Sequence, residues 1–189
     1  GVDAAMLAAA RDEGDAVDVL LGWEPLAAKV GALDAFLLAI DETIERFPPL
    51  SRGGELSAAR ARALAATPGR EDDAAAIYRE LVSDGGADAA AHAEAFAAFL
   101  AAAAPSKVRI DDRRWLFDFS VEHAIGPAKL EPLLAWAAAE ERELGDAEVA
   151  TDLYRRVLVL DPEHVEALSG LARLLLRSGD IDVMIASIR

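Results

Sequence analysis

The sequence predicts an all-α chain folded as a stack of about five antiparallel helical hairpins. Three observations carry this. Strand signals are nearly absent, because β-branched residues are sparse and no alternating apolar run appears. Helix stops and starts recur, cutting the chain into segments of about one dozen residues with very short turns, as antiparallel hairpins require. Certain marks also return at a fixed period. Gly145 and Gly179 lie 34 residues apart, and steps of 38 backwards from Gly145 land on Lys107, Gly69 and Gly31. Nine residues beyond each mark stand Ile40, Tyr78, Leu116, Tyr154 and Ile188, all large and apolar.

These marks place helix pairs at 15–30/32–47, 52–66/71–84, 88–103/110–125, 127–144/146–160 and 163–177/180–189, within one helical-repeat domain spanning 1–189. In chain order, Gly14-Asp15 closes a leading segment, Val2–Glu13, and opens the first helix with an aspartate N-cap. The pairs Gly53-Gly54 and Gly85-Gly86 read as turns. The alanine-rich run Ala87–Ala104 is interrupted by Asp88, His92 and Glu94, so it reads as a water-soluble helix. A bilayer span needs ~20 predominantly apolar residues. Asp111 and Asp112 read as helix-start residues within the aromatic-dense segment Ile110–Glu122. Within it Trp115, Leu116 and Phe119 share a helical face suited to the core, and Phe117 points elsewhere. Gly126-Pro127 puts proline at a first helical position, and Gly145-Asp146 and Gly179-Asp180 repeat the stop-and-cap pattern. Asp161-Pro162-Glu163 reads as cap, first-turn proline and first-turn acid. The last helix, from Asp180, is short and ends on apolar spacing, with Val183, Ile185 and Ile188. Both ends therefore read as unfinished, as in a segment of a longer array or in ends that self-associate.

Composition limits the function. The formal net charge is −15, from 34 acidic and 19 basic side chains, which repels phosphate backbones and anionic membranes and leaves protein partners. No cysteine is present, which removes thiolate metal sites, disulfides and cysteine nucleophiles. Asparagine and glutamine are absent and arginine far outnumbers lysine, the bias of a GC-rich bacterial genome. No signal peptide is visible, so a cytoplasmic location is expected.

The clearest unit runs from Leu130 to Pro162, LEPLLAWAAAEERELGDAEVATDLYRRVLVLDP. With Ala138 and Ala150 at small positions, Gly145 in the turn, Tyr154 at the seam and Pro162 opening the next unit, it resembles a tetratricopeptide repeat. The unit 163–189 keeps Leu168, Leu171, Ala172 and Gly179, with Met184 where alanine is usual. Leu134 stands at the family's tryptophan position, and Trp136 followed by Glu140 and Glu141 also resembles the half-a-tetratricopeptide variant. The resemblance implies a right-handed superhelical α-solenoid whose first helices line a groove for a protein or peptide partner. Transferred residue by residue, the groove positions are Arg142, Glu143, Glu166, Ser169, Arg173 and Arg177. Arg173 and Arg177, four apart on one face, would form with Arg142 a local basic spot suited to a carboxylate or acidic peptide. The alternative for these arginines is pairing with neighbouring acids such as Glu166. Arg113, Arg114 and Phe117 form a second candidate surface, the two arginines being suited to stacking or to binding a carboxylate. The asparagine clamp used by chaperone-tail-binding members is excluded, because the chain has no asparagine.

Chemistry finds no foothold. The histidines, His92, His123 and His164, form neither a Glu-x-x-His pair nor a His-Glu-x-x-His motif. There is no Gly-x-Ser-x-Gly elbow and no phosphate-binding loop, and Ser169-Gly170 reads as a close-packing point in a helix. Adjacent acids such as Glu140-Glu141 point in different directions and carry no acid/base signature. The expectation is a non-enzymatic scaffold or adaptor without cofactor or metal. The alternative is a structural segment that self-assembles through its ends.

Overall fold

The computed structural model describes residues 12–47, 52–102 and 107–178. All regular structure among them is helical, with no strand. Contacts divide the chain into two compact units, Gly1–Ala104 and Pro105–Arg189. The leading segment up to residue 11, the Gly179-Asp180 turn, Met184, Ile188 and the last helix expected from Asp180 lie outside the described residues.

The first unit holds α1 (Glu13–Val30), α2 (Leu33–Arg46), α3 (Gly53–Ala65), α4 (Glu71–Ser83) and α5 (Ala89–Ala102). Each helix packs on the next, and α1 also packs on α3, so two successive hairpins stack through their first helices. The N-cap of α1 is Asp12, whose carboxylate accepts the Asp15 N–H at 3.0 Å. Gly14-Asp15 therefore sits in the first turn of that helix instead of before it. Gly53-Gly54 likewise opens α3 and does not stand outside it as a turn. The helix ends are better anticipated. Gly31 and Gly69 have φ of 72° and 83°, the left-handed conformation that glycine adopts without a Cβ clash. The core gathers Val17, Leu20, Phe36, Ile40, Leu56 and Leu64, with Trp23 edge-on to Phe36 at 5.6 Å. Burying each large side chain contributes roughly 1.5–3 kcal/mol. Between α4 and α5, Tyr78 stacks on Phe96 at 5.4 Å between ring centroids.

The second unit holds α6 (Lys107–His123), a 3₁₀ turn (Gly126–Lys129), α7 (Leu130–Ala139) running into a π-turn (Glu140–Leu144), α8 (Ala147–Leu160) and α9 (Val165–Ser178). The single helix expected over 127–144 is thus three segments. Because α6 already starts at Lys107, Asp111 and Asp112 lie inside it and do not open it, and Asp112 is 3% exposed. Gly145 (φ 83°) closes the π-turn, and Asp146 caps α8 by accepting the Val149 N–H at 3.1 Å. Asp161 instead holds the turn before α9, accepting the Glu163 N–H at 3.2 Å; the helix starts two residues later. Leu133, Ala137, Ala150, Leu153, Tyr154, Val157, Leu171 and Leu174 fill this core.

The residues nine beyond the marks behave as one class. Ile40, Tyr78, Leu116 and Tyr154 are all buried, none more than 8% exposed. The packing is tightest at Tyr154. An ideal Cβ on Gly170 would lie 2.3 Å from the tyrosine ring, so α9 reaches α8 only because Gly170 has no side chain. The expected close-packing role of Ser169-Gly170 belongs to the glycine, while Ser169 is exposed.

Candidate functional site

Helical spacing continues the buried stripe of α7, Leu133 and Ala137, directly onto Glu140. That residue is fully buried, so its charge requires partners. Arg114 of α6 supplies a two-point contact, Nε to Oε1 at 2.7 Å and Nη2 to Oε2 at 2.8 Å. The indole N–H of Trp136, one helical turn back, donates to Oε1 at 3.0 Å. The Trp136 ring also lies parallel to Phe117 of α6, with centroids 6.2 Å apart.

Glu141 faces the opposite neighbours. Its side chain is 3% exposed and receives Arg173 of α9 in a second two-point contact, at 3.0 and 2.9 Å. The Tyr154 hydroxyl of α8 donates to it at 2.9 Å, and Arg177 approaches to 3.8 Å. Arg173, and less strongly the Tyr154 hydroxyl, hold the Glu141 carboxyl below its ordinary value against the opposing effect of burial. Burial, with the negative charge of Glu141, pushes the Tyr154 phenol up to about 12. The π-turn allows both acids to be satisfied. The Gly145 N–H bonds the Glu140 carbonyl, five residues back, at 2.9 Å, which widens the last turn of the helix.

The candidate residues fall into distinct roles. Arg173 and Arg177 do share a face, and the acid that holds them is Glu141, whereas Glu166 is exposed. Their guanidinium groups still reach solvent, with side chains 42% and 65% exposed. Arg142 and Ser169 are exposed. Glu143 pairs with Arg113 at 2.6 Å, and Arg114 also lies 3.6 Å from Asp146. Both arginines of the second surface thus bind carboxylates of their own unit, and Phe117 is half-buried against Trp136. The expected core face of α6 is buried fully only at Leu116; Trp115 and Phe119 are half-buried and stack at 5.5 Å.

Sequence reasoning passed over Glu140 and Glu141 as binding centres, although it separated their directions correctly. The available signal was an acid continuing the Leu133–Ala137 stripe, with a tryptophan four residues before it. A related pair occurs in the first unit, where Arg62 of α3 grips Glu24 of α1 at 2.6 and 2.7 Å. In both units a carboxylate meets an arginine two helices further along the chain, Glu24 with Arg62 and Glu141 with Arg173.

Among the described residues no group of three or more histidine, aspartate or glutamate side chains is gathered to hold a metal ion. No helix among them is long and apolar enough to cross a membrane. No protein-family model and no curated protein matches the sequence.

Proposed function

We propose that the chain is a non-enzymatic adaptor, a tetratricopeptide-like helical-repeat array that holds a protein or peptide partner in the cytoplasm. In this reading the hairpins form a right-handed superhelical solenoid whose first helices line a groove. The recurring turn glycines and the buried residue nine positions after each support the repeat. The partner is a protein carrying exposed carboxylates, with neither nucleic acid nor membrane contacted directly.

One observation carries this reading. The nearly buried Glu141 grips Arg173, keeps Arg177 beside it and leaves both guanidinium groups partly exposed. Two positive charges meet one negative charge there, on a chain of net charge −15, and the exposed Arg142 follows Glu141 in the chain. Guanidinium groups already oriented by a carboxylate lose little freedom on meeting a second one, so binding costs less entropy. The test is an array of acidic and neutral peptides probed with the wild type and an Arg142→Ala/Arg177→Ala variant. Arg173 is left in place because it satisfies Glu141. Acidic peptides retained by the wild type and lost by the variant support the reading; equal retention by both refutes it.

A second reading, self-assembly, draws on Ile125, Val159, Leu160 and Val165, which are 45–86% exposed. By chain direction they all lie where α6 and α8 end and α7 and α9 begin. Sedimentation at high dilution decides it: a monodisperse monomer excludes self-assembly, and a persistent oligomer favours it.

A further inference from the structure

We propose that the π-turn Glu140–Leu144 is a two-sided joint through which α6 and α9 are energetically coupled. Each helix contributes one arginine, and the two arginines are held by adjacent residues of a single backbone turn. Arg114 of α6 makes its two-point contact with Glu140, and Arg173 of α9 makes the equivalent contact with Glu141. Both carboxylates are nearly or wholly out of solvent, so water cannot replace a lost guanidinium without the turn opening.

The π-type bond from Gly145 to Glu140 spans one residue more than an α-helical bond and closes the turn that carries both acids. Opening that turn would release both carboxylates from their present partners together. Each arginine therefore favours the closed turn, and each strengthens the other's contact without touching it. Coupling of this kind requires an element with two arrangements that both sites bias, and in this proposal they are the closed and the opened turn. Trp136 and Tyr154 add one donor to each side, fixing Glu140 from within α7 and Glu141 from α8.

The joint also links the two surfaces singled out above. Arg114 and Phe117 belong to one, and Arg173 and Arg177 to the other. A partner that withdrew Arg114 from Glu140 would loosen Arg173, and by reciprocity a ligand on α9 would alter α6. The functional meaning rests on the adaptor reading. The physical coupling does not, and its test involves no partner.

The experiment is amide hydrogen exchange on the full chain, comparing wild type, Arg114→Met and Arg113→Met. Arg113 is the internal control, since it lies on the same helix and pairs with Glu143 of the same turn, which is 56% exposed. In Arg114→Met the α9 amides are expected to exchange faster by on the order of tenfold. In Arg113→Met they are expected to match the wild type, and in Arg173→Met the α6 amides near Arg114 accelerate in turn. Unchanged α9 exchange in Arg114→Met, or equal acceleration in both α6 variants, overturns the proposal. If Arg114→Met loses its helicity throughout, Glu140→Gln, which preserves side-chain volume, replaces it under the same two criteria.

Discussion

Gly170 and Glu141 show how much of the second unit depends on single side chains. A methyl group at position 170 would meet the Tyr154 ring at 2.3 Å, and that ring is 1% exposed with no space to retreat. Gly170→Ala is therefore expected to destabilise the chain by about 1–3 kcal/mol, despite alanine's better helix propensity. Tyr154→Leu in the same chain should recover part of the loss, a non-additivity that urea denaturation of the two single variants and the double variant measures. Glu141 makes stability depend on pH. Its folded-state pKa lies below the ordinary 4.5, so its contribution is complete above that value and is lost as pH falls through the lower folded one. Urea midpoints are expected to stay level from neutral pH to about 5 and to drop below 4.5. Glu141→Gln should show a shallower acid slope; an identical slope would show that the ionised carboxylate contributes nothing. Tyr154 acts in the opposite direction, because a phenol raised from 10.0 to about 12 stabilises below pH 10 and ceases to as pH climbs through 12.

Helices in this chain are set by their ends more than by their middles. Gly145 at φ 83° and Asp146 on the Val149 N–H form a stop and a start on adjacent residues. Gly145→Ala is expected to cost about 1–2 kcal/mol through left-handed strain, and Asp146→Ala about 1 kcal/mol through the lost cap. Thermal melting followed by circular dichroism resolves both; no change in Gly145→Ala would mean that the turn readily takes another form. Signals of this local kind were legible in the sequence, and so were the glycine stops at Gly31, Gly69 and Gly145 and the burial of Ile40, Tyr78, Leu116 and Tyr154. Competing local caps, and elements whose form depends on distant partners, were not. Glycine and aspartate at 14 and 15 look like a stop followed by a cap, but Asp12 two residues earlier captures the Asp15 N–H and shifts the helix start. The widened turn at Glu140–Leu144 has no local signature either. It forms where two adjacent acids must satisfy arginines 26 residues before one of them and 32 residues after the other.

At the scale of the whole molecule the charge is distributed unevenly. A chain of net charge −15 keeps Arg173 and Arg177 together at Glu141 with both guanidinium groups reaching solvent, and Arg142 is exposed. Sequence spacing had placed Arg173 and Arg177 on one face; the acid that holds them was hidden, because Glu141 is remote from them in the chain and is oriented by the π-turn. Under the adaptor reading, a carboxylate-bearing partner is selected here by local charge against a repelling background, so added salt should weaken its binding. The most direct measurement is amide exchange across the chain with and without the strongest-binding acidic peptide from the array. The account predicts slowing concentrated at residues 140–146 and over Gly170–Ser178. Slowing confined to 124–129 and 158–165, or none at all with the peptide bound, would contradict it.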